Sequence, residues 1–201
     1  MTDQAPTTRE RLLEAARELF TTTGYHATTT PMIARRAGVA EGTIYRHFPS
    51  KQALLNASYQ EIQRWGSTSV REAASLSGKS VGERLSALGY RWMEGAEKDP
   101  ARLRLLLNTR LGAELDEMSR AAAGDLRHGL EHLIAQGKQE GSVRAGVVEL
   151  WTAVWMTLVA FAVERVAARE WTANHPHAQA TLEAAWEAIA WRPIAVGGQT
   201  A

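Results

Sequence analysis

Residues 24–55 read GYHATTTPMIARRAGVAEGTIYRHFPSKQALL, and this stretch decides the fold. It contains two short helical patterns that are separated by a tight turn at residues 37–39. Thr29 or Thr30 is suited to cap the first of these helices, and the second runs from about Ala40 to Phe48. Gly38 supplies the positive φ that such a turn requires. The spacing predicts a helix-turn-helix, in which two helices meet at a steep angle.

The second of these helices carries side chains that suit a nucleic-acid contact. Tyr45 and His47 are neutral donors for phosphate oxygens, while Gly42 lets the helix backbone approach a duplex closely. Lys51 adds a positive charge in the first turn of the next helix. Between residues 30 and 51 there are four basic side chains against one acidic, a local basic patch on a chain with a net charge of +1.

The quoted stretch closely resembles the TetR family of bacterial transcriptional regulators over about residues 8–60. The resemblance implies an all-helical homodimer with an N-terminal DNA-binding domain and a larger C-terminal domain that binds a small molecule. It also implies that ligand binding moves the two DNA-binding heads apart and releases the operator. Carried over position by position, the family pattern and the helix-turn-helix together give these candidate DNA contacts: Thr30, Arg35, Ala40, Glu41, Gly42, Thr43, Tyr45, Arg46, His47 and Lys51.

Two positions depart from the common family pattern. Pro31 occupies a place where a polar or charged residue is usual, so one phosphate contact is missing. Glu41 occupies a place where lysine or a hydroxyl residue is common. A carboxylate there either accepts a hydrogen bond from a cytosine amino group or faces solvent and is favoured by the helix dipole.

Helix signals continue on both sides of this stretch. Thr7–Glu10 and Ser80–Glu83 have the spacing of capping boxes, and Asp99-Pro100 begins another helix. A regular apolar stripe runs from Leu115 through Met118 to Leu133. No stretch alternates with a period of two residues, as a strand would. We therefore predict an all-α protein of about nine helices, with a helix-turn-helix domain at 1–50, a linker helix from about 51, and a ligand-binding and dimerisation domain at 51–201.

Composition excludes several other classes of protein. The chain has 201 residues and no cysteine, so disulfide scaffolds, thiolate metal sites and cysteine nucleophiles are absent. The polar start, Met1 to Arg11, predicts no signal peptide. The longest uncharged run, Leu150 to Val163, is shorter than the roughly 20 residues of a membrane span. We expect a cytoplasmic protein that needs no cofactor and is neither an enzyme nor attached to a membrane.

Six of the seven tryptophans follow residue 90, which predicts an aromatic regulatory domain. Trp151, Trp155 and Val159 share one face of an apolar helix at 147–169, and Val147, Leu150, Val154 and Phe161 lie on the other. One face would line a pocket and the other would meet a partner subunit, in an order that the sequence leaves open. An aromatic stripe of this kind is also typical of a core, and Arg110 either orients an acidic ligand or lies on the surface. The candidate ligand contacts are Trp92, Met93, Leu107, Arg110, Met118, Trp151, Trp155 and Val159.

The resemblance also implies that the last two helices, about 147–169 and 176–190, pair with their copies, which would give a four-helix dimer bundle. The predicted partners are therefore operator DNA, a small and largely apolar or aromatic effector, and a second copy of the chain. The alternative is a helical interaction or metal-binding protein whose helix-turn-helix no longer binds DNA. His128, Glu131 and His132 have helical spacing for a zinc site, although the order of the residues differs from the usual zinc motif.

Overall fold

The computed structural model describes residues 5–108 and 110–192, and within these ranges the chain folds into nine α-helices. The only pairing of extended chain in the described part is one isolated antiparallel bridge between Val143 and Ala190. The predicted all-α class is confirmed. In chain order the helices are α1 (Thr8–Thr22), α2 (Thr30–Ala37), α3 (Glu41–His47), α4 (Lys51–Ala74), α5 (Val81–Lys98), α6 (Pro100–Leu106), α7 (Glu117–Gln139), α8 (Val148–Ala167) and α9 (Pro176–Glu187).

The helices begin where the local sequence indicates. Thr7 and Glu10 exchange side-chain and backbone hydrogen bonds at the start of α1, and Ser80 and Glu83 do the same at the start of α5. Asp99 accepts a hydrogen bond from the Arg102 amide at the start of α6. These contacts satisfy amides that a helix leaves unpaired in its first turn. Both predicted capping boxes are confirmed.

Helices α1, α2 and α3 form a small unit, called the head below. Leu12, Ile33 and Ile44 in its core are fully buried, and Phe20 and Phe48 are almost fully buried. Leu54 and Leu55, in the second turn of α4, are also fully buried. Helix α4 packs against both α1 and α7, so it joins the head to the other helices. The division into two domains at residue 50 stays a prediction.

Helix α5 lies at the centre of the remaining helices, called the body below (α4–α9), and packs against every other helix of the body. Its residues Leu85, Leu88, Trp92 and Met93 are fully buried. The ring of Trp92 packs on that of Trp155 in α8, with 6.0 Å between the ring centroids. Two of the largest side chains of the body therefore pack together in its interior.

Helix α8 has one buried and one exposed face. Trp155 and Val159 face the interior, while Leu150 and Phe161 are each 50% exposed on the opposite side. By length and composition α8 is apolar enough to cross a membrane, and 39% of that stretch is buried against the rest of the chain. Core helices of globular proteins have the same composition when both of their faces are covered.

One part of the predicted apolar stripe is wrong. Met118 is 68% exposed, whereas Leu126, Leu130 and Leu133 are buried as expected. The reason is that α7 begins only at Glu117, with Asp116 as its cap. Met118 therefore lies in the first turn of the helix, where its side chain faces solvent. Leu115 is buried, but it lies in the loop before the helix. The predicted last helix also ends earlier, at Glu187, and residues 193–201 of the predicted body domain lie outside the described residues.

Candidate functional site

The turn between α2 and α3 is fixed from two sides. Gly38 ends α2 with φ 64°, in the left-handed region that favours glycine. The guanidinium group of Arg11, from α1, donates hydrogen bonds to the carbonyl oxygens of Ala37 and Gly38, at 2.5–3.0 Å and 2.8 Å. The angle between the two helices is thus set by the glycine conformation and by a clamp from outside the motif.

Helix α3 buries one side and exposes the other. Ile44 is fully buried and Phe48, just after the helix, is 4% exposed. The opposite side carries the exposed Gly42, Arg46 and His47, and Tyr45 is 55% exposed. An exposed row of polar and aromatic groups on a short helix after a tight turn is the arrangement of a recognition helix that enters a major groove.

Tyr45 and Thr30 form a pair that links the two helices. The phenol oxygen of Tyr45 lies 3.2 Å from the hydroxyl of Thr30, at the start of α2, and either group can donate the hydrogen bond. Both side chains therefore reach the same edge of the head. The pairing holds the exposed tyrosine ring in one direction, which lowers the conformational entropy that a DNA contact would cost.

The other candidates in the helix-turn-helix lie around this edge. Arg35 is exposed in the last turn of α2, and Ala40 is the N-cap of α3, with no side-chain hydrogen bond. Glu41 is exposed in the first turn of α3, where the helix dipole favours a carboxylate. Thr43 is half-buried. These candidates are thus exposed or half-buried, and the Tyr45–Thr30 contact joins α2 and α3.

Lys51 differs from the other candidates, because its ammonium group contacts the protein. It donates hydrogen bonds to the carbonyl oxygens of Tyr25 and Thr28 at 2.8 Å and reaches that of His26 at 3.5 Å. It also lies 4.3 Å from the centre of the Tyr25 ring. Lys51 therefore holds the α1–α2 loop against the start of α4, directly beyond the recognition helix. This contact gives Lys51 a structural role that the sequence did not indicate.

The candidate ligand contacts are spread over the body. Trp92, Met93, Trp155 and Val159 belong to the filled interior and line neither of the two cavities described below. Met118 is exposed, and the indole of Trp151 donates a hydrogen bond to the carbonyl of Ala145 at 3.2 Å. Of the eight candidates, Leu107 and Arg110 line the first of these cavities, and Leu107 also lines the second. The ligand role of all eight stays a prediction.

The first cavity, called the junction cavity below, lies between the head and the body and has a volume of about 880 Å³. The end of α1 and the α1–α2 loop form one wall, including Phe20, Tyr25 and His26. Helix α6 and the loop that follows it form the second wall, and Ala160, Val163 and Glu164 of α8 form the third. The cavity is therefore bounded by the head, by the short α6 and by α8.

Charged groups in the junction cavity are arranged mainly in pairs. Arg104 binds both carboxylate oxygens of Glu164 at 3.0–3.2 Å, and His26 Nε2 lies 3.0 Å from Glu114. Backbone hydrogen bonds, from its own amide and that of Gly112, lower the pKa of Glu114, so its carboxylate stays charged. Burial, with a contribution from Glu114, raises the pKa of Tyr25, so its phenol stays neutral near pH 7.

The second cavity, of about 660 Å³, lies between α7 and α8 and also touches Leu107. It is lined by Arg127, His128 and Glu131 of α7 and by Glu149 and Met156 of α8. Across residues 5–108 and 110–192, no group of three or more His, Asp or Glu side chains is placed to hold a metal ion. The zinc hypothesis for His128, Glu131 and His132 therefore has no support from the described geometry.

Sequence reasoning missed the walls of the junction cavity. Tyr25, His26, Arg104, Glu114 and Glu164 come from four separate segments, and no local pattern connects them. Tyr25 belongs to the helix-turn-helix stretch, and no local pattern indicates that it lines a cavity. Lys51 directly after the N-cap of α4 is unfavourable for the helix dipole, but the sequence does not show which groups compensate it.

Comparisons with known proteins show which family the chain matches. Residues 12–58 match the family described as bacterial regulatory proteins, tetR family. The chain is 33% identical over 147 residues to nucleoid occlusion factor SlmA of Marinobacter nauticus, a match that covers 73% of this chain and 74% of that protein. It is also 38% identical over 72 residues to the HTH-type transcriptional regulator UidR of Escherichia coli, covering 36% of this chain and 37% of UidR.

Solved structures show the same fold over nearly the whole chain. A TetR family transcription regulator from Marinobacter aquaeolei aligns with a TM-score of 0.77 and 22% identity, over 92% of this chain and 96% of that one. The MbdR regulator from Azoarcus sp. CIB aligns with a TM-score of 0.75 and 23% identity, over 90% and 97%. At these identities the likeness extends to the fold alone.

The fold and the exposed recognition helix define a DNA-binding helix-turn-helix protein with a helical body. The chain belongs to the TetR family of bacterial regulatory proteins. It is accordingly a DNA-binding transcriptional regulator and belongs to a family of regulators rather than of enzymes.

Proposed function

We propose that this protein is a repressor that binds a palindromic operator as a homodimer and releases it when a small effector binds. The observation that carries the proposal is the exposed side of α3, with Gly42, Tyr45, Arg46 and His47 at the solvent and Ile44 buried beneath them. A regulator of this kind acts where the chromosome is, in the cytoplasm.

In the proposed complex α3 lies in the major groove. Arg46 and His47 contact phosphates or base edges, Tyr45 and Thr30 contact the backbone as a pair, and Gly42 faces the groove most closely. Lys51 supports the edge of the site by holding the α1–α2 loop, and its charge attracts the neighbouring phosphates. Arg35, Ala40, Glu41 and Thr43 complete the proposed contact surface.

The proposed dimer forms through the outer sides of α8 and α9. Leu150 and Phe161 are each 50% exposed there, and Val147 before α8 is 62% exposed. Trp191, just beyond α9, is 55% exposed. Exposed apolar side chains of this size favour an interface. A two-fold dimer would present its recognition helices to half-sites about 34 Å apart, one turn of DNA.

The test of DNA binding is fluorescence anisotropy with the DNA that flanks the gene for this protein, against random DNA, at two salt concentrations. We expect tight binding that is selective for the flanking DNA and weakens with salt. Arg46→Ala should weaken binding and lower the salt slope by about one unit, because one phosphate contact is lost. The matched control is Arg127→Ala, an exposed arginine on α7 that is remote from the head. Equal weak binding of both DNAs by the unchanged protein would contradict the proposal.

Lys51→Met separates the two roles of Lys51. It removes the ammonium group and keeps most of the aliphatic stem. We expect lower DNA affinity together with a lower melting temperature, because the carbonyls of Tyr25 and Thr28 lose their charged donor. A loss of affinity without any loss of stability would mean that the contact with the α1–α2 loop contributes nothing to the fold.

Sedimentation velocity tests the dimer. The double variant Leu150→Ser/Phe161→Ser should weaken the dimer at least about a hundredfold, since each buried side chain of this size contributes about 1.5–3 kcal/mol. Met118→Ser, which changes a 68% exposed side chain on α7, is the control and should leave the dimer unchanged. A double variant that stays fully dimeric would exclude this face of α8.

A second candidate function comes from the match to nucleoid occlusion factor SlmA, which extends well beyond the head to 73% of the chain. A protein that acts on the nucleoid would bind many chromosomal sites, whereas a repressor of particular genes binds few. Chromatin immunoprecipitation with sequencing distinguishes the two. A few sites next to promoters support the repressor, and many sites along the chromosome support the second candidate.

A further inference from the structure

We infer that the junction cavity is the effector site of this protein and that it takes an organic anion with an aromatic or aliphatic body. This inference rests on the proposed function for the role of the ligand, but the site itself is argued from the cavity. With about 880 Å³, the cavity is within the range of small-molecule sites.

The charges of the junction cavity select an anion. Of the basic side chains that line it, Arg104 is paired with Glu164 and His26 with Glu114. Arg110 is exposed and, among the described residues, has no carboxylate partner. Glu164 is thus paired with Arg104, Glu114 lies within hydrogen-bond distance of His26, and the guanidinium group of Arg110 remains to bind a carboxylate, sulfonate or phosphate.

The apolar part of the junction cavity suits the body of such a ligand. Phe20, Leu103 and Val163 line it and are buried, and the half-buried Tyr25 and Leu111 extend this surface. The rest of the lining is polar and includes Thr21, Thr22, Thr23 and Asn108, so a ligand would meet apolar contacts on one part of its surface and polar groups that fix its orientation on another. In contrast, the interior of the body next to Trp92 and Trp155 is filled by side chains that are at most 1% exposed.

The junction cavity is connected to the head by direct contacts. Tyr25 and His26 in its wall are held by Lys51 through their carbonyl oxygens, and Lys51 follows the recognition helix after three residues, 48–50. A ligand that displaces this loop therefore changes the position of Lys51 and of the start of α4. The coupling needs no change in the filled interior of the body.

A second connection runs through the loop after α6. Asn56 of α4 donates a hydrogen bond to the carbonyl of Glu114 at 3.0 Å and accepts one from the amide of Asp116 at 2.9 Å. Gln52, one turn earlier, donates to the same Glu114 carbonyl at 3.1 Å. Movement of this loop on ligand binding would thus be transmitted to α4, which carries the head.

The experiment uses 8-anilinonaphthalene-1-sulfonate, an aromatic anion, and its uncharged analogue N-phenyl-1-naphthylamine as probes for the full-length protein without DNA. We expect saturable binding of one sulfonate probe per chain, seen as enhanced fluorescence. Arg110→Ala should weaken it about tenfold, the value of one charge-assisted hydrogen bond, and leave the uncharged probe unchanged. Arg127→Ala, which alters the cavity between α7 and α8, is the matched control and should change neither affinity.

The same proteins are then titrated with a fragment of the DNA that flanks the gene, as in the test of DNA binding above. The sulfonate should weaken DNA binding of the unchanged protein, and Arg110→Ala should bind DNA equally well but respond only at about tenfold higher probe concentration. No saturable binding, equal affinity in Arg110→Ala, or an equal loss in Arg127→Ala would overturn the site. Probe binding that depends on Arg110, in a protein that does not bind the fragment, would support the site and contradict the proposed repressor.

Discussion

The recognition helix of the head and the centre of the body differ in where their aromatic side chains lie. In the head the recognition helix carries exposed aromatic and basic groups, with Tyr45 55% exposed, while Phe20 and Phe48 lie in the core. In the body Trp92 and Trp155 are buried at the centre, and the cavities lie at the edges of the helices. The exposed groups of the recognition helix are therefore available for binding, whereas Trp92 and Trp155 stabilise the fold.

The largest expected effect is the loss of stability when a large buried side chain is removed from the centre of the body. Trp155→Ala removes a side chain that is 1% exposed and packs on Trp92. We expect the free energy of unfolding to fall by about 3–5 kcal/mol, as for other large-to-small changes in a core. Urea denaturation followed by circular dichroism measures it.

Met118→Ala is the control for this change, because Met118 is also a candidate ligand residue but is 68% exposed. Its effect on stability should stay within about 0.5 kcal/mol. If the two variants lost equal stability, the contrast between a filled interior and an exposed surface in the body would be wrong.

The next effect concerns the contact between α4 and the loop after α6. Asn56 is 3% exposed, and its side-chain oxygen accepts hydrogen bonds from the Asp116 amide and, at 2.6 Å, from the Ser119 hydroxyl. Asn56→Ala leaves these buried donors without a partner, so we expect a loss of about 1–3 kcal/mol in thermal or urea unfolding.

Gln52→Ala is the matched variant, since Gln52 donates to the same Glu114 carbonyl but is exposed. We expect it to lose less than about 1 kcal/mol, because water can replace the exposed amide. Similar losses in the two variants would show that burial of Asn56 is not what makes this contact important.

A pair of glycines tests the exposed side of the head. Gly42 in α3 and Gly124 in α7 are both helical, and a Cβ atom added to either would meet no atom within 4 Å. Alanine at either position should therefore raise the stability by about 0.5–1 kcal/mol. Only Gly42→Ala should weaken DNA binding, by about tenfold, if the helix backbone approaches the duplex there. Equal DNA affinity of the two variants would remove Gly42 from the contact surface.

The smallest effect compares the capping boxes of the two regions in acid. Hydrogen bonds from Lys79 and from Ser80 lower the pKa of Glu83 to about 2, and those from Thr7 lower the pKa of Glu10. A lowered pKa contributes stability above the ordinary value of 4.5 that is lost as the pH falls. The difference in melting temperature between the unchanged protein and Glu83→Gln should therefore be present at pH 7 and disappear as the pH falls from 4.5 towards 2.

Glu10→Gln should show the same direction at the start of α1. High salt should reduce the Glu83 effect, since the Lys79 ammonium is exposed and its interaction with the carboxylate is screened. A melting-temperature difference that is independent of pH would mean that the caps act through shape and not through charge.

The helix-turn-helix was predictable because its determinants are close together in sequence. Gly38 ends α2 in the expected conformation, and Thr29 and Ser50 cap the helices that the pattern indicated. The boundary errors are larger in the body. Met118 has the spacing of a core residue, but spacing does not reveal that α7 begins only one residue before it.

The sequence by itself determined the all-helical class, the helix-turn-helix and its exposed polar residues, since turn conformation, capping and helical period act over a few residues. Only the tertiary structure decided which face of α8 is buried, that Lys51 binds the α1–α2 loop, and that the junction cavity lies between the head and the body. The physical reason is that each of these depends on contacts between segments that are distant in the chain. The ion pair between Arg104 and Glu164, which lies sixty residues later in the chain, is such a contact.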